Sequence, residues 1–395
     1  MRIGIDLYDL KPNMKQGINV YSESLVNGFL NLKEKFTLQL YVNKDYLKYA
    51  RSKFKSKKTN FFSYEQKNQR FKGRIIKIII YCWSFFGLKL LKIYALINNY
   101  IFKDFKKLIE TNSDILISPN VILNHYNLNI KTVLCIHDIQ HAYFPQNFSK
   151  YEITKRHLTR NNSVRSCDYL IASSNFLKKQ LYNFFKKKKN SIKVISEGVD
   201  LSLFKKKNYK NRIINNIKLP KKFIFYPAQF WPHKNHLLLL KAVYNLKKKN
   251  KKINIVFCGG KKNYFNIVMN YINKNKLSTV IYLGNIQLKN VIKAYNLCTA
   301  VVLPSVEESS SLVLKESVAI GKPFLAAKTN TFKEKSKEFK IKTFDINKIS
   351  DFENKISYVY ANSLKHKKNV TKNSKKIKNY QWQYIAKKFY TLVSS

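Results

Sequence analysis

Short apolar runs alternate with amphipathic stretches along this chain, and the alternation starts twice. Strands are predicted at residues 2–7, 37–42, 114–118, 132–137, 169–173 and 193–195, and again at 223–228, 254–258, 279–283, 300–303 and 323–327. Helical patterns separate several of them, at 21–32, 152–167, 175–185, 237–249, 288–298, 312–320 and 349–362. Strands joined by helical crossovers form parallel sheets that are covered on both faces. The pattern therefore predicts an α/β protein built from two doubly wound parallel sheets.

A polar, lysine-rich stretch at 205–222 separates the two runs and is interpreted as a linker. The predicted domains are residues 1–204 and 223–378, both Rossmann-like, followed by residues 379–395. This last segment contains a helical pattern at 381–393, which we expect to pack back on the first domain. Doubly wound sheets bind ligands beyond the carboxyl ends of their strands, so we expect a binding cleft where two such sheets face each other.

The composition excludes two classes of protein. Hydrophobic residues make up 45% of the 395 residues and aromatic residues 14%, which is enough for a large core. A mainly disordered basic protein would lack these residues. The chain has 10 glycines and 8 prolines, too few for a collagen-like or low-complexity architecture.

The formal net charge is +53, from 75 Lys and Arg against 22 Asp and Glu. Two interpretations stay open. The lysines accompany many Asn, Ile, Phe and Tyr residues, which share A/T-rich codons, so part of the charge is explained by drift on solvated faces. The other interpretation is attraction to polyanions such as nucleic acid, anionic lipid or nucleotide phosphates. Because the basic runs are scattered and no nucleic-acid-binding motif accompanies them, we expect no specific nucleic acid partner.

The cysteines are interpreted as buried free thiols in a reducing compartment, because none forms a C-x-x-C pair. They are Cys82, Cys135, Cys167, Cys258 and Cys298. The chain opens on a strand pattern and not on a signal peptide, so we expect the protein to remain in the cytosol.

Residues 75–97 are mostly apolar and resemble a membrane-spanning segment, but Lys77, Lys89 and Lys92 interrupt the apolar run. The uncharged part, 78–88, is shorter than the roughly 20 residues that a helical span needs, so we predict a buried or interfacial helix. The preceding residues 51–74 hold nine Lys or Arg and one acid, Glu65. A basic stretch beside an apolar, aromatic helix is typical of peripheral membrane proteins. A core helix after a solvated loop is the alternative.

The clearest candidate site follows the predicted strand 300–303. Glu308 and Glu316 are separated by seven residues, and the serines at 309–311 are favourable N-cap residues for the helix that follows. Gly321 and Pro323 end that helix. A loop that leads into a helix N-terminus suits a diphosphate, and paired carboxylates suit sugar hydroxyls. Two solvated glutamates at a helix end are the alternative.

This stretch resembles the E-x7-E signature of family 4 retaining glycosyltransferases, which have the GT-B fold and include enzymes of bacterial cell-surface polysaccharide and lipopolysaccharide synthesis. Other segments agree with the family in order and spacing. They are the first strand at 2–7, the glycine loop at 16–21, the strand end with His137 and Asp138 at 133–141, the Gly-Val-Asp segment at 195–200 and the lysine loop at 226–236. Together they cover nearly the whole chain, and the ordered set is specific where any single segment is weak.

The resemblance implies a role for individual residues. Lys234 would neutralise the donor diphosphate, Glu308 would hold donor-sugar hydroxyls at the catalytic centre, and Glu316 would bind the ribose. His137 would bond the donor sugar or assist the acceptor as a catalytic residue. Gly17 would let the backbone approach the phosphates, since any Cβ would intrude.

The remaining implied contacts are weaker. The donor loop would be completed by Ser309, Ser310, Ser311 and Leu312. Backbone contacts to the nucleotide base are assigned to Gly259, Gly260, Asn285 and Ile286. His233 and His236 are interpreted as structural residues.

Two positions depart from the family pattern. Gly-Phe-Gly or a similar sequence usually follows the first glutamate, where this chain has three serines. An arginine often stands five residues before the loop lysine, where this chain has Gln229, and its loss removes a bidentate phosphate contact. These departures motivate an alternative, a non-catalytic GT-B-like glycan-binding or scaffold subunit. The presence of Lys234, Glu308 and Glu316 argues against it.

The resemblance thus implies a retaining transferase that moves a hexose, with mannose as one candidate, from a nucleotide-diphosphate sugar to a lipid-linked or growing cell-surface glycan. The first domain would bind the acceptor and the second the nucleotide sugar. The chain has no Asp-x-Asp motif, so no metal or other cofactor is expected, and a helix dipole and a lysine would take the metal's place. We expect a cytoplasmic enzyme that associates peripherally with the anionic inner face of the cell membrane.

Overall fold

The structure is a computed structural model that describes residues 1–10, 17–64, 69–362 and 376–394. Gln16 of the glycine loop, residues 65–68 of the basic stretch and residues 363–375 near the predicted end of the second domain lie outside the described residues. The chain forms two compact units, of which the first comprises Met1–Gly198 with Trp382–Ser395 and the second Val199–Gln381. The predicted boundary after residue 204 therefore falls inside the second unit, as does the stretch 205–222.

The first unit is built on a parallel sheet with the strand order β3-β2-β1-β4-β5-β6-β7. Its strands are β1 (Arg2–Leu7), β2 (Thr37–Asn43), β3 (Thr59–Tyr64), β4 (Ile115–Ser118), β5 (Lys131–Ile136), β6 (Tyr169–Ala172) and β7 (Ile192–Val194). The order runs outward in both directions from the neighbours β1 and β4. In such a sheet the connections after these two strands leave in opposite directions and open a crevice at their carboxyl ends.

Helices cover both faces of this sheet, and local sequence sets where several of them begin. They are α1 (Gly17–Leu30), α2 (Leu47–Lys53), α3 (Gln69–Phe85), α4 (Leu91–Ile101), α5 (Lys103–Asn112), α6 (Gln140–Tyr143), α7 (Lys150–Ser166) and α8 (Asn175–Phe185). Ser149 and Glu152 form a capping box at the start of α7, and Ser174 caps α8.

The second unit repeats the plan with a parallel sheet in the order β12-β11-β10-β13-β14-β15 and a small β8–β9 hairpin. Its strands are β8 (Ile213–Ile214), β9 (Ile217–Lys218), β10 (Ile224–Pro227), β11 (Ile255–Cys258), β12 (Val280–Tyr282), β13 (Ala300–Leu303), β14 (Phe324–Ala327) and β15 (Lys342–Phe344). Its helices are α9 (His236–Lys248), α10 (Phe265–Lys274), α11 (Leu288–Leu297), α12 (Leu312–Ile320), α13 (Asn330–Phe339) and α14 (Ile349–Ala361). The prediction of two doubly wound parallel sheets is confirmed.

The last helix, α15 (Trp382–Ser394), returns to the first unit and packs on α1. Two glycines make room for it. A Cβ on Gly28 would lie 2.4 Å from the carbonyl oxygen of Trp382, and a Cβ on Gly198 would lie 2.6 Å from its indole ring. Since real Cβ atoms do not approach so closely, any larger residue at either position would displace α15.

Three expectations are corrected for the region after β2. Residues 75–97 form parts of two helices, α3 and α4, because the chain turns at Gly87, whose φ of 68° suits glycine. The alternative of a solvated loop at 51–74 is also corrected, because this basic stretch contains the end of α2, all of β3 and the start of α3. Cys82 is exposed, whereas the other four cysteines are buried. Within the described part of the chain, no helix is both long and apolar enough to cross a bilayer.

Candidate active site

Two loops of the second unit meet where the central strands end. The loop after β10 carries Lys234 at the end of a short 3-10 turn, Pro232–Lys234, and the loop after β13 carries Glu308. Strands β10 and β13 are neighbours, with Ile224 opposite Ala300, although β11 and β12 separate them along the chain. These are the strands at which the order reverses, so their carboxyl ends form the crevice in which doubly wound sheets bind ligands.

The Lys234 ammonium lies 2.6 Å from Oε1 of Glu308, and the two side chains are 21% and 11% exposed. A lysine ammonium has three N–H donors, so the bond to Glu308 leaves two for a ligand. The partner carboxylate also restricts a flexible four-carbon side chain to one position. This contact joins two residues that the sequence analysis had placed in one site.

Further hydrogen bonds hold the two loops together. The backbone N–H of Val306 donates to the carbonyl of His233 over 2.8 Å, and the Tyr226 hydroxyl donates to the carbonyl of Lys234 over 2.6 Å. On the other side, the Thr331 hydroxyl donates to the carbonyl of Glu308. The backbone at Lys234 and Glu308 is therefore fixed by side chains from β10 and α13, and the two loops are joined by the Val306 bond, which favours a preorganised site.

Helix α12 begins at the end of the second loop. Ser311 is its N-cap, since its hydroxyl accepts the N–H of Leu314 at 3.1 Å, and Gly321 ends it with φ 78°. This confirms the predicted cap and the predicted end of the helix. The first N–H groups of a helix have no partner within it, so the region around Leu312 carries the positive end of the helix dipole. Ser309 and Ser311 are buried, whereas Ser310 is partly exposed.

Glu316 lies one turn into α12 and contacts α11 instead of Glu308. Its Oε2 accepts the Tyr295 hydroxyl at 2.6 Å. Burial raises the pKa of Glu316 to about 7, and the Tyr295 bond and the Lys315 charge oppose that rise. The Glu316 charge in turn contributes to the raised pKa of Cys258, whose main cause is burial, so the carboxylate lies close to the end of β11. A carboxyl that titrates near neutral pH is typical of functional sites.

Lys315 was not singled out from the sequence, and it is 1% exposed. Its ammonium lies 3.4 Å from the Ser310 hydroxyl and 5.4 Å from the ring centroid of Tyr380. A buried ammonium usually needs such polar or aromatic partners. The residue therefore places a second positive charge beside the serine loop.

The residues assigned to base contacts have mixed surroundings. Gly259 has φ 148°, and a Cβ there would lie 2.2 Å from the carbonyl oxygen of Ala228, so the backbone of this loop approaches that of β10 closely. Its N–H donates to Gly284 and its carbonyl accepts the Tyr282 hydroxyl at 2.9 Å. A base would therefore have to use the second lone pair of that carbonyl or the neighbouring Gly260. Asn285 is exposed, whereas the side chain of Ile286 belongs to the hydrophobic core.

His236 is fully buried and stacks on Phe230, with ring centroids 4.3 Å apart. Burial lowers the pKa of His236 to about 3, so the ring is neutral at ordinary pH. The side chain fits the structural role predicted for it. Gln229, at the position where the family often has arginine, accepts the indole N–H of Trp231 at 2.9 Å. It contributes to the shape of the lysine loop but brings no charge.

His137 lies in the first unit, directly after β5. Its Nε2 is 3.0 Å from the carbonyl of Pro119, and because a carbonyl only accepts, Nε2 must carry the proton. Burial lowers the pKa of His137, while the nearby Glu197 opposes that shift, so the ring is neutral and Nδ1 keeps its lone pair. The edge of the ring contacts Tyr21 at 4.5 Å between centroids. A neutral ring in this tautomer can accept a hydrogen bond from a hydroxyl group at Nδ1.

Two further residues of the first unit lie at the carboxyl end of β1. Gly17 is the first residue of α1, and no atom of the described residues lies within 4 Å of the position that a Cβ would take there. Asp6 was not assigned a role and is fully buried, where it accepts the N–H of Tyr8 and the amide of Asn124, each at 3.0 Å. Burial raises the pKa of Asp6 to about 7.

Sequence reasoning missed Tyr226, Tyr295, Lys315 and Thr331 as parts of this site. A lysine within the apolar pattern of α12 is the signal that could have identified Lys315. The contacts of Tyr295 and Thr331 join segments distant in sequence and leave no local signal. Among the residues that the structure describes, no three His, Cys, Asp or Glu side chains are grouped closely enough to hold a metal ion.

Part of the second unit matches a known protein family. A family model described as "Glycosyl transferases group 1" matches residues 207–377, which lie within the second unit and include both loops. A search among curated proteins found no relative by sequence.

Many solved structures resemble the whole chain. HepE of Anabaena, crystallised with UDP and glucose, has a TM-score of 0.70 at 14% identity and covers 100% of this chain and 99% of its own. Sucrose-phosphate synthase from Thermosynechococcus elongatus has a TM-score of 0.70 at 13% identity, and the match covers 99% of this chain and 98% of the synthase chain. The lipopolysaccharide outer core galactosyltransferase WaaB has a TM-score of 0.62 at 14% identity, and the match covers 99% of this chain and 98% of the WaaB chain. Such likenesses show the fold, and the predicted GT-B fold is confirmed.

Proposed function

We propose that the chain is a retaining glycosyltransferase of family 4, a proposal supported by the glycosyltransferase family model that matches residues 207–377. In this proposal it transfers a hexose, with mannose as one candidate, from a nucleotide-diphosphate sugar to a lipid-linked or growing cell-surface glycan. The observation that carries the proposal is the contact between Lys234 and Glu308 at the carboxyl ends of β10 and β13. It combines a cation for a diphosphate with a carboxylate for sugar hydroxyls in the crevice where this kind of sheet binds ligands.

The proposed chemistry follows from where charge develops. As the bond between the sugar and the diphosphate breaks, negative charge grows on the phosphate oxygens. The two remaining N–H donors of Lys234 and the first N–H groups of α12 would stabilise this charge more than that of the intact donor. Lys315, buried beside Ser310, adds positive potential to the same region. The departing diphosphate is therefore the group that the site is best equipped to stabilise.

The carboxylates would divide the recognition of the donor between them. Glu308 uses one oxygen for Lys234, which leaves the other for a hydroxyl of the sugar. Glu316 would accept the ribose hydroxyls, with Tyr295 holding its carboxylate in place. His137, neutral and with a free lone pair at Nδ1, would accept a hydroxyl of the donor sugar or of the acceptor.

Two proteins of similar structure support a nucleotide-sugar donor and a glycan acceptor. HepE of Anabaena was crystallised with UDP and glucose, and WaaB is named for transferring galactose to a lipopolysaccharide outer core. We propose by extension that this chain uses a nucleotide sugar and adds to a glycan of the cell surface. An acceptor attached to lipid would bring the enzyme to the inner face of the membrane, and the net charge of +53 favours an anionic surface there.

A donor panel tests the proposal. Purified full-length protein would be incubated with UDP- and GDP-linked hexoses, and nucleoside diphosphate release would be measured with and without lipid-linked acceptors. We expect one donor to be used, with the anomeric configuration of the product, read by NMR, matching that of the donor. Inversion at the anomeric carbon would contradict the retaining assignment. If no nucleotide sugar binds or reacts, a non-catalytic glycan-binding subunit becomes the better explanation.

A further inference from the structure

The α3–α4 hairpin, defined as residues 74–101, is apolar on two faces, which is unusual for a surface element. Its inner face packs on α7, where Ile80 and Tyr94 join the core around Leu158 and Val164. An ordinary surface helix would then present polar residues on its other face. The outer face of this hairpin does not.

Among the described residues, the six most exposed large apolar side chains all lie on this hairpin. They are Ile78, Tyr81, Phe85, Phe86, Leu96 and Tyr100, and Phe85 reaches 76% exposure. The spacing of three and four residues places them in one stripe along each helix, with Phe86 at the turn between the stripes. Apolar surface of this extent on a folded protein marks an interaction site.

The charged residues of the hairpin itself are all basic. Residues 66–103 contain no Asp or Glu. Lys77, Lys89 and Lys92 are exposed on the hairpin, and the Lys103 ammonium lies 5.7 Å from the ring centroid of Tyr100. An apolar face on a segment whose charged residues are all basic fits a surface that offers hydrocarbon and negative charge together.

We propose that the α3–α4 hairpin docks on an anionic lipid bilayer and inserts its outer side chains into the interface. A second copy of the chain would bring the same apolar stripe but also the same lysines, with no acid in this segment to pair with them. A bilayer supplies anionic headgroups at the level of the lysines and acyl chains at the level of Phe85 and Phe86. This proposal rests on the proposed function in one respect: an acceptor attached to lipid explains why the enzyme should meet a membrane.

The two kinds of side chain would contribute differently. Lysines near an anionic surface attract it over about a Debye length, roughly 8 Å at physiological salt, and so weaken as salt rises. Inserted apolar side chains act only on contact and do not depend on salt. Binding that has both components therefore requires the apolar stripe and the lysines, and each can be removed separately.

Cys82 offers a direct probe, because it is the exposed cysteine among the five and lies on α3 beside Tyr81. An environment-sensitive dye on Cys82 of the full-length protein would be mixed with bare vesicles of phosphatidylcholine and phosphatidylglycerol. We expect a blue shift of the dye emission and quenching by lipids that carry a nitroxide on the acyl chain. Vesicles of phosphatidylcholine alone should give a much weaker response.

Matched variants separate the apolar contribution from the fold. Phe86→Gln with Leu96→Gln should lower the vesicle partition coefficient by about tenfold for each residue, since burial of such a side chain is worth at least one decade. The control is Ile267→Gln with Tyr384→Gln, which alters apolar residues that are also exposed but lie outside the hairpin. This control should bind vesicles as wild type does.

A second pair of variants tests the charge. Lys89→Gln with Lys92→Gln should weaken binding by about fivefold for each lysine at low salt and by less at high salt. Lys241→Gln with Lys274→Gln, both exposed in the second unit, removes the same charge elsewhere and should have the smaller effect.

Several outcomes would overturn the proposal. One is vesicle binding by the Phe86→Gln, Leu96→Gln variant equal to that of wild type. Another is an unshifted dye on bare vesicles together with self-association through the hairpin in sedimentation, which would indicate a second copy. A dye response only when a lipid-linked acceptor is present would indicate that the stripe binds the substrate's lipid. Donor use in solution is measured separately, so a protein that binds vesicles but uses no nucleotide sugar would refute the proposed function and leave the docking surface intact.

Discussion

Replacing Lys234 by alanine should remove most of the transferase activity. Its ammonium lies 2.6 Å from Glu308 and has two further donors for the phosphate oxygens of the donor. Because charge grows on those oxygens as the bond to the sugar breaks, the contact is stronger in the transition state than in the ground state. Losing one preorganised contact of this kind costs about 2.7–4 kcal/mol, or roughly 10²–10³ in rate. We expect kcat to fall by that factor, with a smaller rise in the donor KM.

The cost in stability follows from the exposure of the pair. The side chains of Lys234 and Glu308 are 21% and 11% exposed, so the pair is neither solvated nor fully buried. Exposed pairs contribute about 0.2–1 kcal/mol, whereas removing one partner of a buried pair costs about 3–5 kcal/mol. A loss of about 1–2 kcal/mol is therefore expected, which lowers the melting temperature by roughly 3–6 °C in a unit of this size.

Lys249→Ala is the matched control, because Lys249 makes an ion pair with Glu353 over 2.7 Å in the same unit, between α9 and α14. It should lower the melting temperature slightly and leave kcat unchanged. Glu308→Gln should also lower kcat, since it removes the charge that positions Lys234 and that, in the proposed function, faces the reacting sugar. The assay is steady-state kinetics of all variants with the most active donor, with melting followed by calorimetry.

The reasoning is refuted if Lys234→Ala keeps kcat within about threefold of wild type. It is also refuted if Lys249→Ala loses as much activity as Lys234→Ala, since the effect would then arise from destabilisation of the unit and not from contact with the donor. Unchanged kinetics of both Lys234→Ala and Glu308→Gln would move the donor site elsewhere.

Three further predictions concern titration and metals. Glu316→Gln should raise the donor KM with little change in kcat, and the wild-type KM should fall as pH rises through about 7, when the carboxyl ionises. Tyr295→Phe should move that transition to higher pH. The same dependence of KM on pH in Glu316→Gln and in wild type would contradict the assignment. Burial raises the pKa of Asp6 to about 7 from 3.8, so the folded state holds a proton that the unfolded state releases between these values. The stability from this proton is complete below about pH 4 and lost as pH rises through 7, and wild type should therefore lose about 2–3 kcal/mol relative to Asp6→Asn between pH 5 and 8 in denaturant titrations. Transfer should persist in excess EDTA, and a complete loss that magnesium or manganese reverses would show that a metal is needed.

The central strands of both sheets could be predicted from the sequence, whereas two of the four edge strands, β3 and β15, and the break between two helices could not. The bounds of β1 and β13 were predicted correctly, because each is a short, almost fully buried run at the centre of its sheet. β3 was missed, since it lies at the sheet edge and most of its side chains are only partly buried. The turn at Gly87 was also missed, because apolar residues continue on both sides of it and periodicity does not show where a helix pair folds back.

For the candidate site, the sequence by itself determined the chemistry: the residue types and spacing of Lys234, Glu308 and Glu316, and a helix N-terminus after three serines. The tertiary structure alone decided which of these residues meet. Lys234 and Glu308 are 74 residues apart and touch because β10 pairs with β13, while Glu316 binds Tyr295 of α11. Local patterns specify helices and strands, but which strands become neighbours depends on how the whole chain buries its apolar faces, and that is decided only when the sheet forms.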